Sequence, residues 1–238
     1  MVGTLNSLVL INGQALMTSE IRAAATVVIV RNTDKGIKTL LLRRHSQLKV
    51  SGGHWVFPGG SIDPEDYPGT DDEEQAARRA AVRETQEESG LHFHYQELQL
   101  IAHWTTPPSM GRRFATWFYL VEGGDAPVCV DGEEMDDYCW DYPEVFLSNH
   151  RRGELALLPP TVVALTELSA CATVAQTKNF YQRRDVPYIE PHITSKDDCI
   201  CMLYEGDAGY SLSDSELVGP RNRCYLEGKV WRYEFDAG

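Results

Sequence analysis

The chain has 238 residues, 42% of them apolar and 24% charged, an ordinary globular composition with enough length for one substantial core. Lys and Arg total 22 against 35 Asp and Glu; the formal net charge of -13 disfavours nonspecific binding to duplex nucleic acid, which needs cations to neutralise phosphates. No apolar run approaches a membrane span, the N-terminus lacks a basic lead-in, and the six cysteines show no CxxC or Cys/His spacing, so reduced thiols and a cytoplasmic location are expected.

Residues 1–20 form an N-terminal segment with one short strand at 8–12, turned by Gly13. Residues 23–30 are apolar, Asn32, Asp34 and Gly36 supply turn chemistry, and 37–42 are a second β run, which predicts a hairpin. Arg43 and Arg44 end that strand. Arginines there are either solvated or grip a phosphate or carboxylate through bidentate bonds. A polar loop at 47–53 then leads into Trp55, Val56, Phe57, Pro58, Gly59 and Gly60, a corner whose backbone can approach a ligand closely.

Thr70 to Glu73 read as a capping box, with Thr70 accepting from the first turn and Glu73 reaching back. An Ala-rich run carries the helix to Val82 and beyond, and Gly90 stops it by entering the left-handed conformation cheaply. Glu84, Glu87 and Glu88 therefore lie at i, i+3 and i+4 on one face, where like charges repel. A solvated acidic face is the plain account. A hard divalent cation would reverse the repulsion, since magnesium bridges carboxylates to substrate phosphates. Arg83 beside the acids can orient one of them by a bidentate bond.

Phe57-Pro58-Gly59-Gly60 followed by Arg83-Glu84-x-x-Glu87-Glu88-x-Gly90-Leu91 resembles the signature box of the Nudix hydrolases. That box reads Gly, five residues, Glu, seven residues, then Arg-Glu-apolar-x-Glu-Glu-x-Gly-apolar. Thr85 stands where the family has an apolar residue, and 22 residues separate Gly60 from Arg83 where the box has 13. The extra nine are assigned to the loop at 62–69, and because Gln75 stands eight before Arg83, the first Glu of the box is missing or displaced to Glu74. The resemblance implies an α/β/α sandwich with a mixed sheet, and the alternation of strands with two helices agrees. It implies that Glu84, Glu87, Glu88 and the Gly60 carbonyl hold one to three Mg2+ or Mn2+ ions. Arg83 would fix the glutamates. The reaction implied is hydrolysis of a diphosphate joining a nucleoside to another moiety: coenzyme A, a dinucleotide, ADP-ribose or similar. Members that cleave coenzyme A carry a further motif ahead of the corner; Arg44 and Gly53 fit it, whereas Lys49 replaces its second Arg and Leu42 and His45 break the flanking pattern.

After the helix, 91–102 read as strand-rich, 103–111 as a loop and 115–121 as a strand. Arg112, Arg113 and Phe114 between them resemble an Arg-Arg-Phe pattern of long Nudix proteins, where an Arg pair beside an aromatic suits a phosphate joined to a flat ring. A charged loop before a strand is the alternative. Acids return at 131–137. Most such runs face solvent, and an EF-hand order of ligands is absent. Many Nudix proteins place a Glu six positions before a Trp, and Glu134 stands so to Trp140, which makes it the candidate for a further metal ligand or the general base; Glu133, Asp136 and Asp137 are substitutes.

Proline chemistry starts a helix at 161–172 that covers the second face of the sheet. Residues 185–192, 200–204 and 229–235 read as short strands of a C-terminal β extension that finishes the fold, with a substrate pocket or a homodimer contact as the alternative use of its aromatics. The expected organisation is a segment at 1–20, a Nudix domain at 21–172 and an extension at 173–238. A Nudix-fold module that binds nucleotides without turnover is the rival, disfavoured by the three retained acids.

Overall fold

The computed structural model describes residues 8–11, 14–17, 20–69, 71–196 and 199–236. A hairpin of β1 (Leu8–Ile11) and β2 (Gln14–Met17) precedes β3 (Ile21–Thr33), which turns at Gly36 into the antiparallel β4 (Gly36–Arg44). Short strands β5 (Trp55–Val56) and β6 (Gly59–Ser61) flank the Pro-Gly corner, and α1 (Glu73–Ser89) follows. Then come β7 (Gln99–Thr105), β8 (Arg113–Glu122), β9 (Met135–Asp141), α2 (Pro143–Arg151), α3 (Pro159–Ser169) and α4 (Val174–Gln182). The chain finishes with β10 (Tyr188–Ile189), β11 (His192–Lys196), β12 (Cys199–Leu203), β13 (Asn222–Glu227) and β14 (Val230–Phe235).

The central sheet runs β10-β7-β8-β3-β4-β5, with β6 on β3 and β9 on β4. It is mixed, since β3 pairs β8 and β7 pairs β10 in parallel while the other pairs are antiparallel. The unbroken apolar run of β3 follows from burial on both faces. Val27 and Ile29 pack with Ala77, Ala80 and Ala81 of α1, where small side chains let the helix lie close to the sheet. Val28 and Val30 pack on the other side with Phe146 of α2, Leu165 of α3 and Met202 and Cys224 of the extension. The result is the expected α/β/α sandwich, with a four-stranded antiparallel sheet, β11-β12-β13-β14, sharing the core of its second face.

Several expectations are corrected. The helix starts at Glu73, capped by Asp72, whose side chain accepts from Glu74 and Gln75; Thr70 lies outside the described residues. Residues 91–98 contain a 3-10 turn at Tyr95–Glu97 in place of a strand, and β7 continues to Thr105 into the expected loop. Four α-helices are described where two were expected, α2 and α4 being the additions. The predicted helix at 161–172 begins and ends earlier, at Pro159 and Ser169.

His150, 1% exposed, joins three elements. Its Nδ1 lies 3.0 Å from the Leu155 carbonyl, and its Nε2 accepts the Trp231 amide of β14 at 3.0 Å, so the neutral tautomer with a proton on Nδ1 is required. Burial first, then the charges of His54 and Arg151, hold its pKa below the ordinary value, against the Nδ1 bond to Leu155. The folded form therefore disfavours the proton, and stability is present above the unfolded pKa of about 6.5 and lost as pH falls through the lower folded value. Thermal melts between pH 7.5 and 5 should show a steeper acid decline in the wild type than in His150→Gln, whose amide supplies both a donor and an acceptor without titrating.

Candidate active site

Helix α1 delivers its acids to the corner formed by β6. Gly90, at φ 71°, closes the helix and donates its amide to the Gln86 carbonyl, so Glu84, Glu87 and Glu88 occupy the last turns. Glu88 is 4% exposed and its Oε2 accepts the Gly59 amide at 2.9 Å. Burial pushes its carboxyl up to about 8; the Gly59 bond and the charge of Arg44 oppose the rise, and Glu84 and Glu134 add to it. Glu84 is raised as well, again chiefly by burial, with Arg83 opposing. Its carboxylate lies against Gly60, where a Cβ would come within 2.4–2.5 Å of it. Gly59, at φ 152°, is equally closed to a side chain, because a Cβ would meet the Ala25 carbonyl at 2.2 Å. Glu87 is the most open of the three, its side chain 59% exposed.

Arg83 ties these acids to the loop before the helix. Its Nη1 donates to Glu84 Oε1 at 2.9 Å and to Glu87 Oε2 at 3.2 Å. Its Nε and Nη2 donate to the two carboxylate oxygens of Asp66 at 3.2 and 2.8 Å, and Nη2 also reaches the Ser61 carbonyl at 3.0 Å. The guanidinium is held well above its ordinary pKa, Asp66 being the largest cause. Asp66 is 4% exposed, at the end of a 3-10 turn, Pro64–Asp66, and also accepts the Asp63 amide at 2.9 Å.

Asp66 is the residue of the candidate site that sequence reasoning missed. Glu74, one of the two readings of the box's first Glu, the other being its absence, is bonded to Arg78 at 3.1 and 2.8 Å. The missing signal was present: counting forward from Gly60, five residues precede Asp66, so Asp stands for Glu and the nine extra residues enter after it. Thr85 is fully buried and its hydroxyl has no partner, so it fills an apolar position despite its oxygen.

Glu134 comes from the turn before β9, and its charge acts on both Glu84 and Glu88. Asp136 and Asp137 turn to Arg43, at 2.7 and 3.5 Å. Arg44 is half-buried and acts electrostatically on Glu88. The other predicted cations stand apart. Arg113 and Phe114 pair with Ile21 and Arg22 of β3, whereas Gly60 pairs with Ala25, three to four residues and so about 10–13 Å along the strand. Arg113 is 8% exposed and committed, donating to the Thr106 carbonyl at 2.9 Å and Glu190 at 2.7 Å. Arg112 is exposed over the Phe114 ring at 5.2 Å.

Among the described residues no three acidic, His or Cys side chains converge closely enough to make a metal shell by themselves. Arg83 draws Glu84 and Glu87 to itself, while Glu88 turns to the Gly59 amide. The donor set still fits a hard divalent cation: it is all oxygen, and two of its carboxylates carry a desolvation penalty that a positive charge would relieve.

Residues 21–159 match the family model described as the NUDIX domain. No curated protein matches the chain. Among solved structures, a NUDIX hydrolase from Alicyclobacillus acidocaldarius is similar at 26% identity and TM-score 0.61, covering 68% of this chain and 96% of its own. A C. elegans Ap4A hydrolase binary complex is 25% identical at TM-score 0.45, covering 63% of this chain and 96% of its own.

Removing the buried Asp66 carboxylate leaves Arg83 with only the helix acids. Asp66→Ala should lower the unfolding free energy by roughly 3 kcal/mol, the low end for a broken buried pair because Arg83 keeps Glu84 and Glu87. Glu74→Ala, which breaks a part-exposed pair within one helix, should cost less than about 1 kcal/mol. Urea denaturation of both variants checks the contrast, which reverses if Glu74 is the true partner.

Proposed function

The chain belongs to the Nudix family of pyrophosphohydrolases, and we propose that it hydrolyses, with Mg2+ or Mn2+, the diphosphate linkage between a nucleoside and another moiety. The observation that carries this is the pair of mutually repelling carboxylates, half-buried Glu84 and buried Glu88, set against a two-glycine corner and within the electrostatic reach of a third acid, Glu134.

In this mechanism the Gly60 carbonyl, Glu84, Glu87 and Glu88 would hold the cation. When bound, it neutralises phosphate charge and lowers the pKa of a water. Glu134 or Glu87 would accept, on a carboxylate oxygen, the proton of the water that attacks phosphorus. Arg83 keeps Glu84 and Glu87 oriented throughout by its two Nη1 bonds. Gly59 and Gly60 let the β6 corner lie against the Ala25 carbonyl and the Glu84 carboxylate, with no side chain between. Arg44, whose Nε reaches only the Val50 carbonyl at 3.3 Å, has donors left for a phosphate. Arg112 and Phe114, farther along the sheet, suit the distal part of a linked nucleotide; Arg113 supports them through its bonds to Thr106 and Glu190. Residues 21–172 form the catalytic unit, and 173–238 complete its core.

Product formation from ADP-ribose, diadenosine tetraphosphate and coenzyme A, each with Mg2+ and with EDTA, tests the proposal. We expect turnover of at least one compound with metal, none with chelator, and background rates for Glu87→Gln. Glu87 is largely exposed, so that variant should melt as the wild type does; full activity in it would sink the assignment.

A further inference from the structure

Glu134, exposed in the turn before β9, is the acid outside α1 whose charge reaches both Glu84 and Glu88. The backbone around it is fixed on three sides. Upstream, one carboxylate oxygen of Asp131 accepts the amides of Glu133 at 2.5 Å and Glu134 at 2.6 Å, with that of Met135 at 3.4 Å. Gly132, at φ 78°, folds the turn so that its own amide reaches the Met135 carbonyl at 2.9 Å. Laterally, the His45 amide donates to the Glu134 carbonyl at 2.8 Å. Downstream, the Met135 side chain is fully buried, and the β4–β9 register slips between Arg43 and Arg44, leaving Asp136 as an extra residue whose carboxylate takes Arg43. A bulge of this kind re-aims the neighbouring side chain.

We infer that Asp131 is a positioning residue that fixes the Glu134 backbone so that its carboxylate faces the acids of α1. The inference rests on the role proposed for Glu134. Asp131 acts as a hydrogen-bond acceptor, so its charge is dispensable: asparagine at 131 retains a side-chain oxygen for the same amides, whereas alanine does not.

The test uses Asp131→Ala, Asp131→Asn, Glu134→Gln and the double variant Asp131→Ala/Glu134→Gln, with Mg2+ and whichever of the three compounds above the wild type cleaves fastest. Asp131→Ala should lower kcat about tenfold, the usual cost of losing a group that orients a functional side chain, with KM within about twofold. Asp131→Asn should restore kcat to within about twofold of wild type, and the double variant should be no slower than Glu134→Gln alone. A wild-type rate for Asp131→Ala beside a slow Glu134→Gln overturns the positioning role and leaves the function intact. Equal loss in the Asn and Ala variants, or a double variant slowed by the full product of the two effects, overturns it too. A wild-type rate for Glu134→Gln, or no turnover by the wild type at all, removes the role of Glu134 and this inference with it.

Discussion

The structure depends on how one guanidinium is shared between a helix and the loop that precedes it. Three carboxylates at i, i+3 and i+4 on one helix face repel, and a cation on the same helix could relieve them while leaving their direction undetermined. Arg83 avoids that indeterminacy because half of its fork is already fixed on Asp66 and Ser61, off the helix. The remaining nitrogen then presents Glu84 and Glu87 at a position set by the β6 corner. A planar guanidinium can do this and an ammonium cannot, since the fork holds its donors at fixed mutual angles. The orientation of the helix acids is thus inherited from a turn of the chain that precedes the helix.

The two glycines answer the same requirement from the sheet side. Gly59 gives its amide to Glu88, and Gly60 makes room for the Glu84 carboxylate, so the corner touches two of the three acids without interposing a side chain. Such proximity costs the protein free energy, because both carboxylates are withdrawn from water without a full complement of donors. Costs of this kind persist at functional sites where a ligand relieves them. Arg44 and Glu134 extend the arrangement outward, one opposing the negative charge and the other adding to it.

What could be read from the sequence was whatever is local. Gly90 as a stop and the spacing of Glu84, Glu87 and Glu88 fix the end of α1 within the helix itself, and the apolar run of β3 announces a strand buried on both faces. Asp66 escaped because the box was counted backwards from Arg83 across an insertion, and because Asp replaces Glu. Helix α2 escaped although Pro143 and Glu144 open it and His150 and Arg151 close it, the order that the helix dipole favours. The commitment of Arg113 had no local signal at all, since Glu190 lies 77 residues away. Likewise, the side chains of 91–98 alternate as a strand would, while among the described residues no strand pairs with them.

The C-terminal extension illustrates why such distant partners matter to the site. Its first strand, β10, adds to the edge of the central sheet by pairing Tyr188 and Ile189 with His103 and Trp104 of β7. The next residue, Glu190, takes the Arg113 side chain at the start of β8, and its carbonyl accepts the Tyr210 hydroxyl at 3.0 Å. Arg113 in turn grips the Thr106 carbonyl, and the Phe114 amide donates to the Thr106 hydroxyl, so the segment from Thr106 to Phe114 is closed on itself and joined to the extension through the Arg113–Glu190 pair. Arg112 and Phe114 lie on that segment. The extension therefore does more than share a core with α3 through Met202 and Cys224: it supplies the carboxylate that holds the arginine between the outlying cation and ring.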